Sequence, residues 1–360
     1  MVANFGQAQL MENFVCNARS RGFDLSTILL FATHEETLEL ANNLNLTAYY
    51  DERVSFFCRC GNETRSDFSS HTFRFFIILQ EFWTFDKRGG WWIWRPKVCP
   101  NDDGKGKHQN PLYNALFLLL LGLTELSCVP GQVITVHMVS LTGVDFLFQD
   151  LDIVWFKNPL DFFHDKTSPI YSFDAIFQDD GARSIRYQPY SANSGFYFIR
   201  NNPRTQHFLT QLVLSADLIL KTYSHQQALV AMLAEHASLY GLKVKVISKE
   251  DDGFPGGVHF HRGDYFKRYF KGETDPWIFH MSWTLNKDNK LLFLRQLGEW
   301  YVQEQCVDKN VSQIELNGGT FADACCSKEP LFSCHYRDKP SKKPCHDSPP
   351  IDKNGRDFWK

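Results

Sequence analysis

Apolar positions along the first fifty residues change period in a regular way. "MVANFG" reads as the last residues of a strand running into a helix. In "GQAQLMENFVCNARSRG", Leu10, Phe14, Val15 and Ala18 fall on one helical face, and Gly22 ends the pattern. "DLSTILLFAT" is a short continuous apolar run, the pattern of a buried strand. Thr33 and Glu36 have the spacing of a capping box for a helix over "HEETLELANNLN", and "LTAYYDE" follows as a strand. Strand, helix, strand, helix, strand predicts a parallel, doubly wound α/β sheet. Further on, "VDFLFQD" (144–150) is apolar enough for a central parallel strand buried on both faces. "YSFDAIFQDDG" and "NSGFYFIR" are two more strands. Asn202 and Pro203 open the helix "PRTQHFLTQLVLSADLIL", with proline where a missing N–H costs nothing. Ser224 and Gln227 form a second capping-box pattern ahead of "HQQALVAMLAEHASLYG", which Gly241 closes. "KVKVIS" and "PWIFHMSW" are late strands. No internal repeat is present.

The pattern breaks between about Gly89 and Gln132. Aromatic clusters, a Gly/Lys/Asn-rich stretch and a leucine run without amphipathic spacing follow one another there. An atypical surface insertion and a gene-model artefact such as retained intron both fit residues 89–132. The longest apolar run, "ALFLLLLGL" at 115–123, is well short of the roughly 20 residues that span a bilayer. No signal peptide opens the chain.

Composition narrows the class. The chain has 360 residues, 43% of them hydrophobic, and a formal charge of −3, which excludes a strong electrostatic footprint for nucleic acid. Of its ten cysteines, Cys325, Cys326, Cys334 and Cys345 lie in a polar tail with little periodicity. Such density predicts disulfide staples and an oxidising compartment, with a metal site or free thiols as the alternative. Three sequons, Asn45-Leu46-Thr47, Asn62-Glu63-Thr64 and Asn310-Val311-Ser312, point the same way. A lumenal chain with no entry signal leads us to expect an incomplete N-terminus. Two units are expected: residues 1–300 as the main α/β domain and 301–360 as a disulfide-rich extension.

The candidate chemistry lies in "FLFQDLDIVW". Asp150 and Asp152 are two apart, so in extended backbone both carboxylates face one way while Leu151 turns into the core. Two hard oxygen donors at the carboxyl end of a buried strand suit Mn²⁺ or Mg²⁺, with substrate phosphates filling the remaining positions. A solvated turn is the plain alternative. Two enzyme classes use such a pair: a haloacid-dehalogenase-type phosphatase, whose motif usually follows the first strand, and a nucleotide-sugar transferase. A carbohydrate-binding protein without turnover is the third possibility. His280, at the end of a strand, has the type of a metal ligand or of a packed core residue. Asn193 has an amide able to donate to and accept from sugar hydroxyls, and Gly195 allows close backbone approach. Asp179 and Asp180 are adjacent and should face opposite ways. His259 and His261 share a strand face in a Gly-rich loop.

Taken together, "FLFQDLDIVWFKNPLDFF", "AIFQDDG", "SANSGFYFIRNNPRT", "SHQQALVAML", "FHMSWT" and "CHYRDKPSKKPC" resemble the nucleotide-diphospho-sugar transferase domain of glycosyltransferase family 77. The resemblance covers most of residues 1–88 and 133–360. It implies a GT-A-like fold, doubly wound with a mixed, mostly parallel sheet, helices on both faces and a Cys-rich C-terminal tail. It also implies a UDP-sugar donor, a glycan or glycoprotein acceptor, a divalent cation, retention of configuration, and a Golgi-lumen enzyme on a type II anchor. By resemblance Asp152 is a direct metal ligand, Asp150 contacts ribose or a metal-bound water, and His280 completes the metal shell. Asp180 and Asn193 face the sugar, Gly195 lies against the donor, and Ala3 and Asn4 meet the base. One departure stands out. Relatives run a lysine-bearing amphipathic helix into the acidic strand, whereas here "VITVHMVSLTG" resembles only that helix's end.

Overall fold

The computed structural model describes residues 1–3, 5–50, 131–181, 184–222, 224–247, 253–257, 265–270, 272–282, 287–307, 309, 311–316 and 318–331. Asn4, His259, His261, Cys334, Cys345 and nearly all of the 89–132 stretch lie outside these residues.

The N-terminal elements alternate as the pattern predicts. Strand β1 (Val2–Ala3), helix α1 (Ala8–Ser20), β2 (Leu29–Ala32), α2 (Glu35–Asn43) and β3 (Thr47–Tyr49) build a parallel sheet in the order β1-β2-β3. Gly22 sits at φ +70 just past α1, a conformation that favours glycine. The capping box expected at Thr33 and Glu36 does not form. His34 is the N-cap of α2 and makes no side-chain cap bond, while the Thr33 hydroxyl lies 2.8 Å from His34 Nδ1. Thr33 is spent one residue too early to cap.

After residue 130 the chain forms α3 (Gly131–Ser140), β4 (Phe146–Gln149), β5 (Ile153–Trp155) and α4 (Pro159–His164). Then come β6 (Ala175–Asp179), β7 (Ala192–Ile199), α5 (Pro203–Leu214), α6 (Ala216–Thr222) and α7 (His225–Leu239). The last elements are β8 (Val244–Ile247), α8 (Tyr265–Phe270), β9 (Ile278–His280), α9 (Lys287–Leu297) and α10 (Phe321–Cys325). Asn202 caps α5 by accepting from the Arg204 and Thr205 amides, and Thr205 returns the bond. At α7 only half the expected box is present. Ser224 accepts from the Gln227 amide, while the Gln227 side chain bonds Tyr187 instead.

The central sheet runs β4-β7-β6-β8, with β7 antiparallel to both neighbours and β6 parallel to β8. A separate antiparallel pair joins β5 to β9. The sheets are therefore mixed: among the described strands β1-β2-β3 and β6-β8 pair parallel, and one isolated parallel bridge joins Gly256 to His280. The described residues between β6 and β7 hold one short 3-10 turn (Ile185–Tyr187) and no crossover helix, and β7 returns antiparallel. Strand β4, expected as a central parallel strand, ends the order of the four-stranded sheet and pairs antiparallel to β7; its first two residues are only half-buried. Its unbroken apolar run meets both core clusters, Leu147 on one face and Phe146 with Phe148 on the other, and periodicity alone does not separate this incomplete burial from that of a central strand.

Strands β6 and β7 do bury both faces, and their period of two divides the core. Ala175, Phe177, Tyr197 and Ile199 point into one cluster with Phe208, Leu212 and Leu229 from α5 and α7. Ile176, Phe196 and Phe198 point into the other, with Phe14 of α1, Leu294 of α9, Trp300 and Phe321. Each fully buried Phe or Leu contributes about 1.5–3 kcal/mol relative to exposure, and this two-sided packing makes β7 a rigid platform.

The segment after α9 is fastened to α1. Cys16 is bonded to Cys326 and Cys306 to Cys325, so two of the tail cysteines do form the expected staples. Arg21 holds the buried Glu299 carboxylate with both oxygens (3.0 and 2.9 Å), and Asn13 brackets the backbone by donating to Glu299 O and accepting from Tyr301 N. The Cys16–Cys326 bridge closes a loop of 310 residues in sequence separation. Replacing both cysteines, Cys16→Ser with Cys326→Ser, is expected to lower stability by about 2–5 kcal/mol, read as a lower urea midpoint. An unchanged midpoint would show that the polar contacts alone hold the segment.

Candidate metal centre and active site

The acidic pair sits on a bend rather than within a strand. Strand β4 stops at Gln149 and the chain re-enters extended structure at Ile153. Leu151, only 3% exposed, is driven into the core and anchors the bend. Gln149 and Trp155, on either side, close it, because the Trp155 indole N–H donates to Gln149 Oε1 at 2.9 Å. Asn17 of α1 accepts from the Trp155 amide at 3.0 Å and donates to Glu299, which ties the bend to the stapled tail. Backbone bonds from Asp150 N to Gly195 O and from Met281 N to Asp152 O complete the frame.

This frame brings the third donor in. In the β5–β9 ladder Ile153 is opposite His280, so the imidazole lies beside Asp152. His280 Nε2 is 3.4 Å from Asp152 Oδ1 and 3.8 Å from Asp150 Oδ2. One ligand atom from each of the three lies within 4.8 Å of the others, the one such donor cluster among the described residues. Asp152 and His280 are buried, while a quarter of the Asp150 side chain is exposed and forms the open side. Two carboxylates and an imidazole at this separation have the chemistry of a divalent-cation site.

Gly195 makes the crowding possible. A Cβ added there would lie 2.3 Å from Asp150 Oδ2 and 2.8 Å from His280 Cε1. The glycine makes room for two side chains of the cluster. Beside it, Asn193 donates to Asp180 Oδ1 at 2.8 Å and accepts from the Gly195 amide at 2.6 Å. Asp180 is buried, whereas Asp179 faces away and accepts from the Gly181 amide. Ser194 between them points to the other side of β7, where it meets His225 and Gln226, and Gln132 of α3 holds its carbonyl. Burial lowers the His225 pKa to about 4, leaving a neutral ring that packs and hydrogen-bonds. Ala3 ends β1, its carbonyl accepting from the Thr33 amide.

Two further residues belong to this neighbourhood. Lys290 of α9 is buried and donates to Asp152 Oδ2 at 2.6 Å. Gln178, fully buried on β6, lies 2.8 Å from His280 Nδ1. A polar residue inside an apolar strand was the available signal for Gln178; for Lys290, on a mostly polar helix, there was none.

The electrostatics separate the two acids. Burial, then the adjacent Asp152 charge, pushes the Asp150 carboxyl up to about 6 despite His280 and Lys290. Burial also works against an ionised Asp152, but Lys290 and His280 outweigh it and hold that carboxyl well below the usual range. Asp152 is thus a permanent anion, and Asp150 gives up its proton last.

Residues 132–294 match the family described as nucleotide-diphospho-sugar transferase. The match covers a little under half of the chain and contains every member of the cluster, from Asp150 to Lys290. The chain is also similar to a UDP-galactose:fucoside alpha-3-galactosyltransferase of Dictyostelium discoideum, 23% identical over 181 residues, which is 47% of this chain and 27% of that protein. The aligned part thus spans about a quarter of the relative. Among solved structures, mouse xyloside xylosyltransferase 1 in its apo form superposes at 11% identity with a TM-score of 0.37, over 78% of this chain and 96% of that one. A glycosyltransferase involved in the glycosylation of the major capsid of PBCV-1 does so at 10% identity and 0.33, over 81% and 95%.

Gly195→Ala should weaken Mn²⁺ binding by roughly 10-fold or more, the scale on which displaced ligands and their supports cost affinity, as measured by isothermal titration calorimetry. Wild-type affinity at the same level would show that the strand shifts freely. Because Asp150 is protonated below about 6 and must lose its proton to ligate, affinity should rise as pH climbs through that value. Asp150→Asn should flatten this dependence; an unaltered slope would assign it to another group.

Proposed function

We propose that the chain is a metal-dependent retaining glycosyltransferase of the Golgi lumen that moves a sugar from a UDP-sugar to a glycan or glycoprotein acceptor. The observation that carries this reading is the Asp150–Asp152–His280 cluster at the carboxyl end of β4, inside the segment that matches the transferase family. The similarity to a galactosyltransferase that uses a UDP-sugar supports the choice of donor. The disulfides Cys16–Cys326 and Cys306–Cys325 suit an oxidising lumen.

Asp150, Asp152 and His280 would hold the cation, and an imidazole beside two carboxylates suits Mn²⁺ over Mg²⁺, which favours all-oxygen shells. A divalent cation there supplies positive charge against the diphosphate as the sugar–phosphate bond breaks. Lys290 keeps Asp152 ionised and in place from behind. Asp180 and Asn193 orient each other on the neighbouring strand end, where the pair offers an acceptor and an amide to sugar hydroxyls. Gly195 lets that strand end approach the acids. Retention is open to same-face attack or to a covalent intermediate.

The deciding experiment is release of UDP from UDP-sugars with Mn²⁺ by the native protein and by Asp152→Ala. UDP release should require the metal and fall about 100-fold or more in the variant, the scale of losing ~3 kcal/mol of charge stabilisation. Glycan binding without turnover would instead favour a carbohydrate-binding protein, and phosphate release from simple phosphomonoesters a phosphatase.

A further inference from the structure

Gln178 is fully buried on β6, and its amide has a defined orientation. Nε2 donates to two backbone carbonyls, Phe254 O at 3.0 Å and Pro255 O at 3.1 Å. Turning the amide over would set its oxygen against both of them, so Oε1 is the atom that faces His280 Nδ1 at 2.8 Å. An amide oxygen only accepts. Nδ1 must therefore carry a hydrogen, and in the neutral ring the lone pair belongs to Nε2. Nε2 is the atom that faces Asp152 Oδ1 and Asp150 Oδ2. A lone pair aimed at two carboxylate oxygens is repulsive until a cation stands between them. Two carboxylates acting alone would draw a hydrogen onto Nε2 and close it to metal. The Pro255 carbonyl also accepts from the His280 amide at 3.2 Å, so one short backbone stretch braces both the histidine and the glutamine that faces it.

We infer that Gln178 is a positioning residue for the metal site: it holds His280 in the Nδ1–H tautomer, with Nε2 open to the cation. This rests on the metal-centre reading above. Outer-shell partners of this kind set ring orientation and tautomer and are worth about 10- to 100-fold in metal affinity.

The test is Mn²⁺ titration of four proteins: wild type, Gln178→Leu, His280→Ala and the double variant, each checked for fold by circular dichroism. Gln178→Leu should lose about 10- to 100-fold in affinity. It should cost nothing further once His280 is gone, because a residue that acts through another is silent without it. Equal losses in both backgrounds, or none in either, would overturn the inference. The second measurement is the ¹⁵N spectrum of imidazole-labelled, metal-free wild type, well above the ordinary imidazole pKa of about 6.5. His280 should show the Nδ1–H form; an Nε2–H form overturns the inference even if Gln178→Leu does not fold. Wild type that binds no Mn²⁺ overturns the metal reading itself, whereas wild type that binds and a Gln178→Leu that matches it overturn the role of Gln178 alone.

Discussion

Two carboxylates and an imidazole are pressed together at one end of a tightly packed sheet, and most of the surrounding structure exists to keep them there. Like charges at this spacing repel, and burial raises the cost of each. The fold answers with placement. Leu151 roots the bend in the core, the Gln149–Trp155 bond closes it, and the β5–β9 register brings His280 alongside Asp152. Lys290 neutralises one acid from behind. The other, a quarter of its side chain exposed and its pKa raised, suits a group that completes a cation site better than a permanent ion pair.

Rigidity around the cluster comes from both faces of the central sheet. Residues of β6 and β7 alternate between two apolar clusters, so neither strand can shift without disturbing packing on two sides. Polar fixings are added at the strand end that matters. Ser194 is held from behind by His225, Gln226 and Gln132, while Asn193 and Gly195 face the acids. On the far side, the disulfide-bonded tail reaches the bend through Glu299, Asn17 and the Trp155 amide. The tail is therefore part of the support of the site, continuous with it through buried hydrogen bonds.

Much of this was legible in the residue order. The alternation of strand and helix, the proline and asparagine that start α5, the inward Leu151 between outward acids and the stapling of Cys325 and Cys326 all follow from local chemistry: period, φ restriction and side-chain type. The acidic pair was identifiable as candidate donors because few residue types can ligate a hard cation, whereas His280 stood out only through the family resemblance. Alternation put Asp179 and Asp180 on opposite faces, and the choice of Asp180 rested on the family resemblance. Local signals also misled where a competing local contact won, as when Thr33 bonded His34 and left α2 without its expected cap.

What the order of residues could not determine was which distant groups would meet. That β4 ends its sheet and lies antiparallel to β7 depends on pairing among strands far apart in sequence, and one apolar run serves a central or a terminal position equally well. Gly195 was readable as a site of close approach, but that Asp150 and His280 are what approach it is a matter of three segments converging. Lys290 carries no mark of its role and Gln178 only its polarity within an apolar strand, because each acquires its role from a neighbour across the fold. The sequence by itself determined the donors and their local geometry, since these depend on bonding within a few residues. Only the tertiary structure decided the charge balance and the tautomer at the site, since these depend on contacts across more than a hundred residues of chain.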